Sequence, residues 1–177
     1  VFEGSMTDTE VKINDKIAGD IHQGGFYRFS YDITDKLVFG NQNTLEAKVN
    51  KHSADKNVNA AERKADWWLF GGIYRPVYLE AKPKNHIERV AIDAKGDGSV
   101  FSEVFLSEAD NKGYNVKVTL LDLSNKELGS KGFAVNTKEQ RQEFSYSFNG
   151  IKPWTCETPN LYLLKFDLLD KNNNLIH

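Results

Sequence analysis

The residues able to do chemistry are sparse in this chain, and one stretch gathers most of the unusual ones. Cys156 is the single cysteine, and His22, His52, His86 and His177 are scattered. No Cys/His cluster has metal-ligand spacing, so no metal and no cofactor is expected. No Ser-His-Asp arrangement and no phosphate-cradling glycine loop is visible. The exception is Asp66-Trp67-Trp68-Leu69-Phe70-Gly71-Gly72-Ile73-Tyr74-Arg75-Pro76-Val77-Tyr78-Leu79. It combines a carboxylate, two adjacent indoles, a glycine pair and one arginine. Gly71 and Gly72 permit a sharp turn or a close backbone approach. Residues 73–79 are mostly aromatic or β-branched and read as a strand. Pro76 cannot donate to a ladder, so it marks an edge, a bulge or a strand start. An arginine inside an apolar strand needs a partner, so Arg75 is expected to pair with a carboxylate.

Composition sets the background for that stretch. The chain has 177 residues, 40% hydrophobic, 12% aromatic and 27% charged, the balance of an ordinary globular protein. Lys and Arg number 23 against 25 Asp and Glu, and the signs are interspersed. Neither a nucleic acid nor an anionic membrane is therefore an expected partner. No apolar run approaches the ~20 residues that span a bilayer. No signal peptide is visible at Val1-Phe2-Glu3-Gly4, which reads as mid-strand sequence. The compartment is not readable: periplasmic, secreted and cytoplasmic locations all remain open.

The elements that must position the stretch are β-strands. Short alternating runs recur between turn residues, and helical periodicity is nearly absent. Residues 10–13 and 17–19 flank Asn14-Asp15-Lys16 as a hairpin. Tyr27, Phe29 and Tyr31 share one face of a strand at period two. Thr34 or Asp35 would cap a short helical turn over 36–38. Leu45, Ala47 and Val49 line another strand. Residues 50–65 are polar and aperiodic and read as a long loop, a length that is uncommon and often functional. A boundary is placed at Ala81-Lys82-Pro83-Lys84-Asn85, dividing 1–82 from 83–177. Beyond it, strands are expected at 87–94, 100–106, 114–123, 128–135, 143–148 and 161–170. Tyr114, Val116, Val118, Leu120, Phe144, Tyr146, Tyr162, Leu164, Phe166 and Leu168 should be mostly buried. Six short strands with regular turns describe an immunoglobulin-like sandwich. Tyr162 stands where a tyrosine corner would lie, Trp154 would plug one end of the core, and 175–177 would open a seventh strand.

The stretch at 66–79 resembles the end of the N-terminal domain of family 2 glycoside hydrolases, the β-galactosidase and β-glucuronidase group. Residues 25–34 and 40–49 are similar to earlier strands of that domain. Pro153-Trp154 and Pro159-Asn160-Leu161-Tyr162 are similar to the following domain. The resemblance implies an all-β chain: the C-terminal part of a jelly-roll sugar-binding domain, then an immunoglobulin-like β-sandwich. It implies a hydrolase whose two catalytic glutamates sit on a TIM barrel in the same chain, outside these residues. No catalytic residue is therefore assigned here, and the fragment alone is expected to be inactive. The barrel and a carbohydrate substrate are the implied partners, and a homo-oligomer is allowed.

Residue by residue, Asp66 matches the acidic residue that opens the family's Asp-x-Trp/Phe motif. In β-galactosidases of the family that residue contacts the sugar, and a carboxylate can accept from two hydroxyls at once. Trp67 could offer a stacking face beside it. The alternatives are that Asp66 caps a turn and that the indoles belong to the core. A β-galactosidase is the first reading, and another family 2 specificity such as β-glucuronidase the second. An independent carbohydrate-binding or adhesion module is a reading of another class, since fold alone does not decide function.

Overall fold

The computed structural model describes residues 1–64, 70–108, 113–136 and 138–177. The chain is all-β and divides into two compact units, Val1–Glu80 and Ala81–His177.

In the first unit, β2 (Asp8–Ile13) is the central strand of an antiparallel sheet, between β3 (Lys16–Ile17) and β4 (Leu45–Asn50). The β2–β3 hairpin forms where expected. Asn14 and Asp15 both have positive φ, at 49° and 64°, a twist that favours a tight antiparallel return. A second, two-stranded sheet joins β1 (Ser5–Met6) to β5 (Gly72–Ile73). Phe2, Val11 and Ala18 form the core, with Phe29, Tyr31, Ile33 and Ala47 packed on it. Three expectations change here. Tyr27, Phe29 and Tyr31 do not lie on a regular strand: Phe29 makes an isolated bridge to Phe2, and Tyr27 is exposed. The helical turn is a 3-10 turn at Thr34–Lys36, started by Asp32, whose side chain accepts from the Thr34 amide at 2.9 Å. Residues 73–79 hold only a short strand. Past Ile73 the pairing is irregular: the Pro76 carbonyl accepts from the Glu3 amide, Val77 makes an isolated bridge to Phe2, and Tyr78 exchanges two backbone bonds with Val1, while Pro76 itself has no amide to donate.

The second unit is an antiparallel immunoglobulin-like sandwich of two three-stranded sheets. One orders β10 (Arg141–Ser147), β7 (Ser99–Leu106) and β6 (Ile87–Ala94). The other orders β11 (Leu163–Asp170), β8 (Tyr114–Leu121) and β9 (Glu127–Ala134). Alternation puts Val100, Ser102, Val104 and Leu106 of β7 inward, and Tyr114, Val116, Val118 and Leu120 of β8, where Thr119 is buried as well. Of the residues expected to be buried, Tyr114, Val116, Val118, Leu120, Phe144 and Leu168 are, whereas Tyr146, Tyr162, Leu164 and Phe166 are only partly covered. The Tyr162 hydroxyl accepts a hydrogen bond from the Lys152 amide at 3.0 Å, the tyrosine-corner bond back to upstream backbone. Residues 175–177 return beside β11, with Leu169 bridging Leu175. Trp154 is not the plug: it is 58% exposed in a turn that it closes by bridging Pro159. Phe148 and Ile151 fill that end of the core instead.

Candidate functional site

Asp66 and Trp67 lie outside the described residues, so the site is built from what holds the segment on either side. The approach is not the aperiodic loop expected over 50–65. Residues Lys56–Arg63 form helix α1. Asp55 caps it, its carboxylate accepting from the amides of Asn57 at 2.7 Å and Val58 at 3.2 Å. The inward residues are Val58, Asn59, Glu62 and Arg63. They recur at helical spacing, but only Val58 is apolar, so hydrophobic periodicity could not reveal the helix. Asn59 binds both backbone groups of Ser53, accepting from its amide at 3.0 Å and donating to its carbonyl. Arg63 Nε donates back to Asn59 Oδ1 at 3.3 Å.

Glu62 is 6% exposed. Its carboxylate accepts from the Thr7 hydroxyl at 3.1 Å and from the Gly25 amide. A buried carboxylate is tolerated only with such partners. Gly25 packs close against Met6: a Cβ there would stand 2.5 Å from the Met6 methyl, so the methionine would have to shift. Ser5, Thr7 and Thr9 form a buried row of hydroxyls at period two, with Thr9 Oγ1 donating to Ser5 Oγ at 2.7 Å. Asp8, also buried, accepts from the Ala54 amide at 2.7 Å and from Gln23 at 3.3 Å. Burial pushes its carboxyl pKa up. Hydrogen bonds from Ala54, Ser53 and Gln23, with nearby His22, outweigh that and hold it below its ordinary value.

On the exit side, β5 pairs antiparallel with β1, Met6 opposite Gly72 and Ser5 opposite Ile73. Gly72 has φ of 81°, a conformation in which a side chain would be strained. Phe70 stacks on Tyr74 with ring centroids 5.2 Å apart. The Tyr74 hydroxyl donates to the Gly25 carbonyl. Arg75 departs from expectation: it is exposed, lies 5.3 Å from the Tyr74 ring centroid, and pairs with no carboxylate among the described residues. Near this segment it is Arg28 that pairs with carboxylates, 2.8 Å from Glu80 and 3.6 Å from Glu3. Sequence reading passed it over because Arg28 and its partners are remote in the chain.

The residues after this segment also match a known family. The model of glycosyl hydrolases family 2 covers residues 85–177, more than half of the chain. The chain belongs to glycosyl hydrolases family 2.

Relatives extend the match across the first unit. A protein named "Putative beta-glucuronidase" from Formosa agariphila is 32% identical over 176 residues, 97% of this chain and 21% of its own length. A β-galactosidase of Thermoanaerobacter pseudethanolicus is 29% identical over 179 residues, 98% of this chain and 24% of its own. Further curated β-galactosidases, 26% to 30% identical, match at least 96% of this chain. The crystal structure of a family 2 member from Bacteroides cellulosilyticus superposes over 99% of this chain and 24% of its own, with a TM-score of 0.76 at 21% identity. That likeness concerns the fold. The chain thus spans about a fifth to a quarter of the length of these relatives.

Chemically, the described part of the site is a scaffold. Glu62 and Asp8 are committed to backbone donors, and Glu3 and Glu80 to Arg28. Among the described residues, no group of three or more His, Cys, Asp or Glu could hold a metal ion. No helix among them is long and apolar enough to cross a membrane.

Proposed function

We propose that this chain is the substrate-site-shaping, non-catalytic part of a family 2 hydrolase acting on terminal non-reducing β-D-galactosides. Asp66 accepts hydrogen bonds from the sugar, and Trp67 lies beside it. The two catalytic glutamates belong to a barrel elsewhere in the same polypeptide, where a retaining mechanism needs them ~5–5.5 Å apart. The observation that carries this reading is the match to the T. pseudethanolicus β-galactosidase along 98% of the chain, including the segment that bears Asp66. A β-glucuronidase is the second reading, favoured by the 32% identity to the Formosa protein.

The test uses the full-length enzyme with nitrophenyl β-galactoside and β-glucuronide. The preferred substrate decides between the two specificities. Asp66→Ala should lower kcat/KM on that substrate while leaving the melting temperature in place. A charged hydrogen bond to the sugar is worth roughly 2–4 kcal/mol in the transition state, or about 30- to 1,000-fold. An unchanged kcat/KM reduces Asp66 to a turn residue.

A further inference from the structure

The two ends of the segment that carries Asp66 are fastened to the same place. On the entry side, Glu62 accepts from the Gly25 amide and from Thr7. On the exit side, Tyr74 donates to the Gly25 carbonyl, while Gly72 and Ile73 pair with Met6 and Ser5. One peptide residue therefore closes the base of the whole loop: its N–H takes one side, its C=O the other. Three contiguous residues, Ser5 to Thr7, make the second row of attachment. Neither flank could hold its own position. An eight-residue helix is marginal in isolation, so contacts set where α1 ends. A two-residue strand such as β5 is held only by its partner.

We propose that Glu62 and Tyr74 are positioning residues, clasped through Gly25, that place Asp66 for its contact with the sugar. This rests on the sugar-contact reading of Asp66. Asp66 follows Glu62 by four positions in the sequence, a reach of at most ~14 Å at about 3.3–3.6 Å per residue. Retaining a buried carboxylate at the clasp has a physical logic. Two acceptor oxygens on one rigid plane engage Thr7 and Gly25 together, which fixes the register of α1 as well as its depth. Glutamine can reproduce this: its oxygen accepts from Gly25, and its amide donates to a Thr7 hydroxyl turned to accept. Alanine can do neither.

The experiment is a set of double-mutant cycles in the full-length enzyme. Glu62→Ala should lower kcat/KM about 10- to 100-fold, the size expected when a contact is misplaced by an ångström or less. Glu62→Gln should restore it to within about threefold, and Tyr74→Phe should lose about 3- to 10-fold, since each leaves part of the clasp intact. In an Asp66→Ala background, all three effects should shrink to within about twofold, because the residue they position is gone. Equal losses with and without Asp66 would overturn the proposal and make the clasp a general fold contact. So would an Asp66→Ala enzyme that is impaired while Tyr74→Phe and Glu62→Ala are not. Those results leave the role of Asp66 standing, whereas a silent Asp66→Ala removes both ideas. Should Glu62→Ala fail to fold, Tyr74→Phe, which deletes one hydroxyl, carries the test alone.

Discussion

Leu168 and Leu163 lie on the same strand, β11, and replacing each by alanine separates burial from composition. Leu168 is 1% exposed, opposite Val116 in the ladder and inside the sandwich core. Leu163 is 44% exposed, at the start of the strand. Leu168→Ala loses the transfer energy of the missing carbons and leaves a cavity between two sheets that cannot collapse freely. Such sites lose about 3–5 kcal/mol. Leu163→Ala keeps water where much of the side chain was and leaves no closed cavity, so about 1 kcal/mol is expected. In a domain of this size, about 1 kcal/mol moves the melting temperature by roughly 4–8 °C, so the two variants should differ by well over 8 °C. The chain has two compact units that need not unfold together, so the assay must read them separately. Hydrogen exchange of the β8 and β11 amides does so, in increasing urea. Equal losses for the two variants, or less than ~1.5 kcal/mol for Leu168→Ala, would refute the assignment of Leu168 to a close-packed core.

Two further outcomes are expected. Asp8 has its folded pKa held below its ordinary value of 3.8. Its contribution is therefore complete above that value and is lost as pH falls through the folded pKa. Asp8→Asn should flatten the loss of first-unit stability between neutral pH and pH ~3, measured by hydrogen exchange, and an unchanged pH profile would refute the role. Made alone, the 177 residues should hydrolyse neither nitrophenyl β-galactoside nor β-glucuronide, because a sugar contact without acid, base or nucleophile leaves the glycosidic barrier nearly untouched. Turnover that survives repurification and vanishes on mutating a carboxylate of this chain would refute that.

The sequence by itself determined the strands whose inward residues are apolar. Tyr114, Val116, Val118 and Leu120 announce β8, because burial on a pleated surface selects apolar residues at period two. Asn14-Asp15 announces the β2–β3 turn, because few residues accept positive φ there. The motif at 66–79 pointed to the family. Tertiary structure alone decided the features whose inward groups are polar. Helix α1 was invisible because Asn59, Glu62 and Arg63 face inward, made tolerable by Ser53, Thr7 and Gly25, partners up to 55 residues away. Trp154 was misread because a large apolar side chain is only a candidate for the core, and Phe148 and Ile151 reach that end of it instead. The clasp at Gly25 was beyond local reading for the same reason. A glycine in sequence does not say which carboxylate and which phenol will meet its backbone, and only folding brings residues 7, 25, 62 and 74 together.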